Sequence, residues 1–476
     1  MERESGQIAV IGGGASGCLA AVAAARAGCT VFLLEKNEKL GRKLYATGNG
    51  RCNLTNKFMD ESCYHCVSPD VSSRSVLNRI EPFSVEDLIR FFGGLGVPVH
   101  ERDGYVYPRT DQAETVVRAL EKAMRNLGIH VMTGTEVREI RKGAGTAGPG
   151  RFTVIYEDLA SSAEHPADRK ASDVRKRKQK TVHLKAGSAK ERAGRVKDRL
   201  PASAGTGASQ ASLECDAVIL CTGGLAGPSF GCSGDGYRLA RAFSHRVTAL
   251  FPSLTQLVCG CPWLKRAAGV RCHASVCLTD RDGQVIPGTL EDGEVQMTDY
   301  GISGIPVFQI SGRAAQYLAE KEKILVRIDY LPEYTDQEFE KEISWRMGES
   351  RDQMLSDLLL GLANKKVIDL LLASEGLQAE MKARRLSDAD LTALLRKLRA
   401  FDLDVTDVRS FENAQVTSGG IPLAEISSRF ESVLCPGLYL AGELLDVDGR
   451  CGGYNLQWAM SSGYQAGQAA ASSAGI

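Results

Sequence analysis

"QIAVIGGGASGCLAAVAAARAGCTVFLLEK", residues 7 to 36, decides the fold. A β-branched run, Ile8 to Ile11, leads into Gly12, Gly14 and Gly17 at G-x-G-x-x-G spacing, then an Ala-rich helical stretch, then a second apolar run, Thr30 to Leu34, that ends at Glu35. Each piece has a task in a βαβ unit that binds a dinucleotide: Gly12 makes the tight turn, Gly14 lets a pyrophosphate approach the main chain, and Gly17 lets helix and strand pack closely. The helix start, with Ala15 and Ser16, offers N–H groups and a partial positive charge to phosphates. Glu35, with Lys36 beside it, lies about twenty residues on, where a carboxylate can take a ribose hydroxyl pair.

The glycine spacing alone is weak evidence, and the chain carries its own control. "GAGTAGPG", residues 143 to 150, matches the same pattern but runs into Pro149, Gly150 and the alternating "RFTVIYE", so it reads as a hairpin turn. Strand, glycines, helix, strand and acid occur together only at residues 7 to 36.

A chain of 476 residues exceeds one core, so two or three domains are expected. Lys plus Arg balance Asp plus Glu at 58 each, which favours a small-molecule partner over nucleic acid or a membrane surface. The start "MERESGQIAV" has no secretory pattern, so the 14 cysteines read as reduced thiols of a cytoplasmic protein. The longest apolar stretch, residues 18 to 34, contains Arg26 and Gly28 and predicts no transmembrane helix. "CYHC", residues 63 to 66, has no second C-x-x-C to complete a zinc site, so no metal is expected.

Three later segments suit a long dinucleotide. "GRKLYATGNGRCNLTN", residues 41 to 56, follows the second strand and combines Arg42, Lys43 and Arg51 with glycines that admit a ligand to the main chain. "CDAVILCTGG", residues 215 to 224, is a buried strand ending in Thr222, Gly223 and Gly224. A third strand, Leu438 to Ala441, precedes "GELLDVDGRCGGYNLQWAMSSG", residues 442 to 463.

With "HERDGYVYPRTDQAETVV", "GCSGDGYRLARAFSHRV", "PSLTQL", "DYGISGIPVFQIS" and "AQVTSGGI", these segments make the chain resemble the BaiN/RsdA/aminoacetone-oxidase-like family of FAD-dependent flavoproteins. The resemblance spans most of the sequence outside residues 158 to 212. It implies an α/β fold: an FAD-binding Rossmann-like domain of the two-dinucleotide-binding-fold group, with an inserted β-barrel and a helical insert. Carried onto this chain, it sets Gly12 to Gly17, with Glu35 and Lys36, on the adenosine and pyrophosphate. Arg42, Lys43, Gly48, Asn49, Gly50, Arg51, Cys52 and Asn53 fall along the flavin side. So do Gly442, Glu443, Asp446, Asp448, Gly449, Gly452, Gly453, Tyr454, Asn455 and Leu456, while Val137, Thr222, Gly223 and Gly224 complete the cofactor set. Asp446 and Asp448 are the expected ribityl or phosphate-side hydrogen-bonding groups.

The implied activity is an oxidoreductase that passes hydride between flavin and a small organic substrate. Reduction of a carbon–carbon double bond in a bile-acid-type molecule is the sharper expectation; amine oxidation and a non-catalytic flavin-binding role are the alternatives. No second credible glycine motif marks a built-in nicotinamide domain, so NADH or NADPH would bind transiently. Where relatives tend to carry Thr-His before Gly-Ile-Ser-Gly, this chain has "MTDYGISG", with Asp299 in the His place. Arg51, Asp299 and Tyr300 are the catalytic candidates.

Short glycine-separated runs such as "HASVCLTD" and "VFQIS" suit a β-barrel, and leucines at helical spacing indicate amphipathic helices after it. With the arrangement the resemblance implies, the chain divides into residues 1–244, the first part of the FAD domain; 245–332, the β-barrel; 333–404, the helical insert; and 405–476, the end of the barrel domain and the return to the FAD domain. Residues 158 to 212, rich in Ala, Ser, Lys and Arg, read as a mostly disordered insertion whose "RKRKQK" is a solvated run.

Overall fold

The computed structural model describes residues 6–143, 151–159, 210–349 and 351–475. Apart from Gly143, the turn expected over 143–150 lies outside the described residues, and so do "RKRKQK" and residues 160–209 of the expected insertion. The expected insertion is shorter at both ends: Asp158 closes the strand Phe152–Asp158, and residues 210 to 212 open its antiparallel neighbour Gln210–Cys215.

Five parallel strands form the central sheet, in the order Leu438–Leu440, Ala217–Leu220, β1 (Gln7–Ile11), β2 (Thr30–Glu35), His130–Thr133. Ile8, Ala9 and Val10 are fully buried, as expected for a parallel strand covered on both faces. The helix between β1 and β2, α1 (Ala15–Arg26), lies against the long helix Tyr454–Ser473 at backbone distance. A Cβ on Gly463 would stand 2.1 Å from the Ser16 carbonyl oxygen, and one on Gly467 would stand 2.3 Å from that of Ala20. Glycine at these two positions therefore lets segments some 440 residues apart in sequence start side by side.

The insert is a closed barrel of six strands, in the order Leu257–Cys259, Gly301–Ser303, Glu291–Met297, Arg271–Thr279, Leu325–Asp329, Phe401–Val408. Helices such as Asp336–Gly348 and Lys365–Ser374 are looped out between its last two strands and share its core, in which Val276, Val295, Val326, Leu370 and Leu391 are buried together. Residues 401 to 404, assigned to the helical stretch from sequence, belong to the closing barrel strand. The two chain crossings between sheet and barrel, Phe251–Ser253 and Val416–Ser418, pair antiparallel with each other.

"VFQIS" is not a strand. It lies in the helix Ile305–Ala319, which starts after Gly304 at φ 113° with Pro306 in its first turn. Its buried Val307, Ile310, Ala314 and Ala315 follow helical spacing, a period too long to show in a five-residue run.

Candidate active site

A cavity of about 600 Å³ opens where the carboxyl ends of β1 and β2 face the barrel crossings. The glycine turn forms one end. A Cβ on Gly12, at φ 102°, would meet the Cys221 carbonyl oxygen at 2.5 Å, and one on Gly17 would meet the Gly12 carbonyl oxygen at 1.8 Å. Those two glycines are closed by the fold itself. Gly14 differs: a Cβ there meets nothing within 4 Å, and the residue borders the cavity. It caps α1 without any side-chain hydrogen bond, so the first-turn N–H groups are left for a ligand.

Glu35, at the end of β2, is buried and accepts from the Gly13 N–H (Oε2, 2.7 Å) and the Asn37 N–H (Oε1, 2.8 Å). Asn37 in turn accepts from Arg42 Nη1 at 2.7 Å, and Arg42 Nη2 donates to the Ser229 carbonyl at 2.8 Å. Lys36 pairs with Asp235 at 2.5 Å. Lys43 pairs with Glu443 at 2.6 Å, and the other Glu443 oxygen accepts the Thr417 N–H at 2.9 Å. The cationic loop after β2 is thus tied to segments from across the chain.

At the other end, the long helix begins on Gly452 (φ 130°) and Gly453 (φ 99°), both of which border the cavity. A Cβ on Gly453 would sit 2.6 Å from the Thr55 carbonyl oxygen, so the tail of "GRKLYATGNGRCNLTN" runs against the helix start. Asn53 lines the cavity, is only 7% exposed, and leaves Oδ1 without a hydrogen-bond partner. Arg51 lines it too, with Nε donating to the Gly48 carbonyl at 3.1 Å and Cζ 5.1 Å from the centre of the Tyr107 ring. Tyr105 and Tyr107 complete this wall; burial pushes both phenols up, so both stay protonated at neutral pH. Leu254, Ile305 and Phe308 face them from the barrel side.

Of the residues singled out from sequence, the structure gathers Gly12, Gly14, Ala15, Ser16, Glu35 and Lys36 around one end of the cavity. Arg42, Lys43, Gly48, Asn49, Arg51 and Asn53 border it further along, as do Val137, Thr222, Gly223 and Glu443. Gly452, Gly453, Asn455 and Leu456 border it at the long helix.

The others stand off the lining. Asp446 is fully buried and accepts from the N–H groups of Val67 (2.9 Å) and Ser68 (2.8 Å), so it pins that loop instead of reaching a ligand. Asp448 accepts from Ser418 Oγ at 2.8 Å and lies 3.3 Å from His65 Nδ1. Gly17, Gly224 and Gly442 serve close packing, the last two against Thr417 and Ser16. Gly50 lies in an exposed turn, Cys52 is fully buried, Gly449 donates its N–H to Asn455 Oδ1, and Tyr454 donates its hydroxyl to the Phe58 carbonyl.

Asp299 and Tyr300 are not at the site. They form the turn between two barrel strands, where Asp299 is exposed and Tyr300 lies under the Arg409 guanidinium at 5.1 Å. Tyr105 and Tyr107 line the cavity and were not among the residues singled out from sequence. They stand in "HERDGYVYPRTDQAETVV", whose alternating aromatics were the available signal.

The thiols that line the cavity, Cys221, Cys232 and Cys451, are all pushed up by burial and are poor nucleophiles. Burial pushes both Cys52 and Cys221 up to about 12. No group of His, Cys, Asp and Glu suited to a metal occurs among the described residues. His245 bridges Glu425 Oε2 and Ser432 Oγ at 2.8 Å each, an arrangement with the outline of a hydrolase triad. All three are buried away from the cavity, and Ser432 Oγ already accepts two main-chain N–H groups, so it is a structural link.

Comparison with known proteins bears on this geometry. The family model described as the HI0933-like protein Rossmann domain matches residues 6–161 and 161–469. The chain is 38% identical over 469 residues to the 3-dehydro-bile acid delta(4,6)-reductase of Clostridium scindens, covering 98% of this chain and 99% of that one. It is 27% identical over 463 residues to the ribosomal RNA dihydrouridine synthase of Haemophilus influenzae, covering 96% of each. Among solved structures, a 3-ketosteroid dehydrogenase from Rhodococcus jostii aligns over 99% of this chain and 98% of its own, with 14% identity and a TM-score of 0.46. No described helix is long and apolar enough to cross a membrane.

Proposed function

The chain belongs to the HI0933-like Rossmann-domain family and is an FAD-dependent oxidoreductase, and from that premise we propose that it adds hydrogen across a carbon–carbon double bond conjugated to a ketone, in a small acid of the bile-acid type, with NADH or NADPH as electron source. The observation that carries this reading is the opening of two helix N-termini, that of α1 at Gly14 and that of the long helix at Gly453, onto one cavity. Two such termini suit a ligand with negative charge at two separated places, a pyrophosphate and a ring that becomes electron-rich on reduction.

The residues present fit FAD. Gly14 borders open space where a side chain would intrude, and Asn53 Oδ1 is a buried acceptor that needs an N–H or O–H donor from a ligand. Glu35 already accepts from the Gly13 N–H, the Asn37 N–H and Asn37 Nδ2, and Oε2, with one donor so far, keeps capacity for a ribose hydroxyl. When bound, FAD would supply reversible two-electron chemistry.

The chain's own residues would orient and protonate. Tyr105, held protonated by burial, can donate a hydrogen bond to a ketone oxygen and deliver the proton that accompanies the hydride, while Tyr107, whose ring lies 5.1 Å from the Arg51 guanidinium, forms the wall beside it. Leu254, Ile305 and Phe308 would cover the apolar body of the substrate. Both curated relatives carry names that describe hydrogen added at a carbon–carbon double bond, and the bile-acid reading follows the relative at 38% identity over the one at 27%.

The test is an anaerobic visible spectrum of the purified protein. A flavin band that NADH or NADPH bleaches, and that a 3-oxo-4-ene bile acid then restores, is the expected result. A bleached band that the enone does not restore overturns the substrate, a band bleached by neither nucleotide overturns the donor, and a protein that binds no flavin overturns the whole reading.

A further inference from the structure

Four cationic side chains border the cavity, and three are engaged. Lys36 is held by Asp235 and Lys43 by Glu443, while both Nη atoms of Arg42 donate, one to Asn37 and one to the Ser229 carbonyl. Arg51 alone of the four has no acidic or Nη hydrogen-bond partner among the described residues, although its orientation is fixed by the Gly48 carbonyl at Nε and by the Tyr107 ring beneath Cζ. Its Nη edge is therefore an oriented fork of donors awaiting acceptors.

The position of that fork narrows what it can bind. Gly48, on which Arg51 rests, packs against Asn53 and Tyr107, and the neighbouring Tyr105 packs against Gly452 at the start of the long helix. The turn suited to a pyrophosphate is formed by other residues, Gly12 to Gly14, at the start of α1. Arg51 itself lies against the Tyr107 ring, and the same cavity is lined on its barrel side by the apolar Ile305, 52% exposed, and Phe308. A ligand matched to this end has an apolar body and one planar anion, since a guanidinium fork pairs with a carboxylate through two parallel hydrogen bonds.

We propose that Arg51 is the specificity-determining residue for the substrate's acid group, binding a carboxylate through its Nη edge so that an acid is preferred over its neutral ester. This rests on the reading of the site as an FAD-dependent enone reductase. Arg51 is itself exposed, so hydration limits the gain and the expected preference is about tenfold.

The test compares a 3-oxo-4-ene bile acid with its methyl ester on the holoenzyme, alongside Arg51→Ala and Arg51→Lys. The wild type is expected to favour the acid, and Arg51→Ala to lower the acid-to-ester ratio of kcat/KM about tenfold, chiefly through KM for the acid. Arg51→Lys, which keeps charge without the fork, should recover part of the ratio. FAD content and midpoint potential are measured on each variant. An unchanged ratio in Arg51→Ala overturns the proposal, as does a fall for acid and ester together with lost FAD or a shifted potential, which would assign Arg51 to the flavin. If the wild type turns over neither compound, the reductase reading fails. Arg51 is then judged separately by equilibrium binding of acid and ester to the holoenzyme, followed by flavin absorbance: equal affinities overturn it, and an acid preference lost in Arg51→Ala supports it.

Discussion

Arg450 and Glu291 form a two-point ion pair across the seam between the sheet domain and the barrel, Nη1 to Oε1 at 2.7 Å and Nη2 to Oε2 at 2.5 Å. The neighbouring Cys451 N–H donates to Gln309 Oε1 at 2.9 Å, so the short loop that ends in Gly452 and Gly453 is anchored to the barrel at two successive residues. Glu291 is largely buried, which makes the pair costly to break from one side only.

The coupling between these two side chains is therefore measurable. Arg450→Ala and Glu291→Ala are each expected to destabilise the holoenzyme by about 1.5–3 kcal/mol, and the double variant by little more than either alone. Denaturant unfolding of the four proteins gives the cycle. Strictly additive losses would mean that the pair contributes no coupling.

The turn glycines divide into two kinds that substitution should separate. Gly17→Ala forces a Cβ to 1.8 Å from the Gly12 carbonyl oxygen, so the protein is expected to fold poorly. Gly14 has extended backbone, φ −80° and ψ −166°, and open space at its Cβ. Gly14→Ala should leave the thermal transition of the apoprotein within about 0.5 kcal/mol while weakening FAD binding about tenfold or more by standing where the pyrophosphate approaches. Titration of FAD into the apoprotein checks this, and equal affinity for both proteins would remove Gly14 from the phosphate site.

That division also marks how far the sequence could be read. The stretch from Gln7 to Lys36 was legible because spacing, strand runs and the closing acid are all local; the order of the five strands was not, since it sets residues 438–440 and 130–133 at opposite edges of the sheet. Asp446 was not legible: whether its carboxylate faces a ligand or pins Val67 and Ser68 depends on partners nearly four hundred residues away. Tyr105 and Tyr107 were hidden for the same reason, since their strand reaches the site only by pairing with residues 55 and 56. Helix and strand were confused at Val307 to Ser311 because five apolar-rich residues do not contain a helical period.

The buried link between His245, Glu425 and Ser432 gives a pH dependence with a defined sign. Burial opposes ionisation of Glu425, but hydrogen bonds from Arg246 and His245 outweigh it and hold the carboxyl below its ordinary value. A carboxyl depressed in the folded state contributes stability above the unfolded value, about 4.3, and loses it as pH falls through the folded value. Glu425→Gln should thus be less stable than wild type at pH 7, with the gap closing below about pH 4. Denaturant midpoints measured from pH 7 down to 3 test it, and a gap that stays constant across that range would exclude the carboxylate as its source.

Asn53 offers a prediction in which folding and cofactor binding respond with opposite signs. Its Oδ1 is buried without a partner in the protein, a situation that costs about 1–3 kcal/mol. An acceptor kept at such a cost, on the wall between Gly48 and the start of the long helix, fits a donor on a bound molecule, and in the proposed FAD complex the imide N–H or a ribityl hydroxyl would supply it. Asn53→Leu removes the unmet acceptor at similar volume, so the apoprotein is expected to unfold at the same or higher denaturant concentration than wild type. The same change should weaken FAD binding about tenfold, because the donor on the ligand then loses its partner. A structural role alone would move both measurements downward together. Apoprotein destabilised by more than 1 kcal/mol with FAD affinity intact would therefore mean that Asn53 supports the fold and does not read the cofactor.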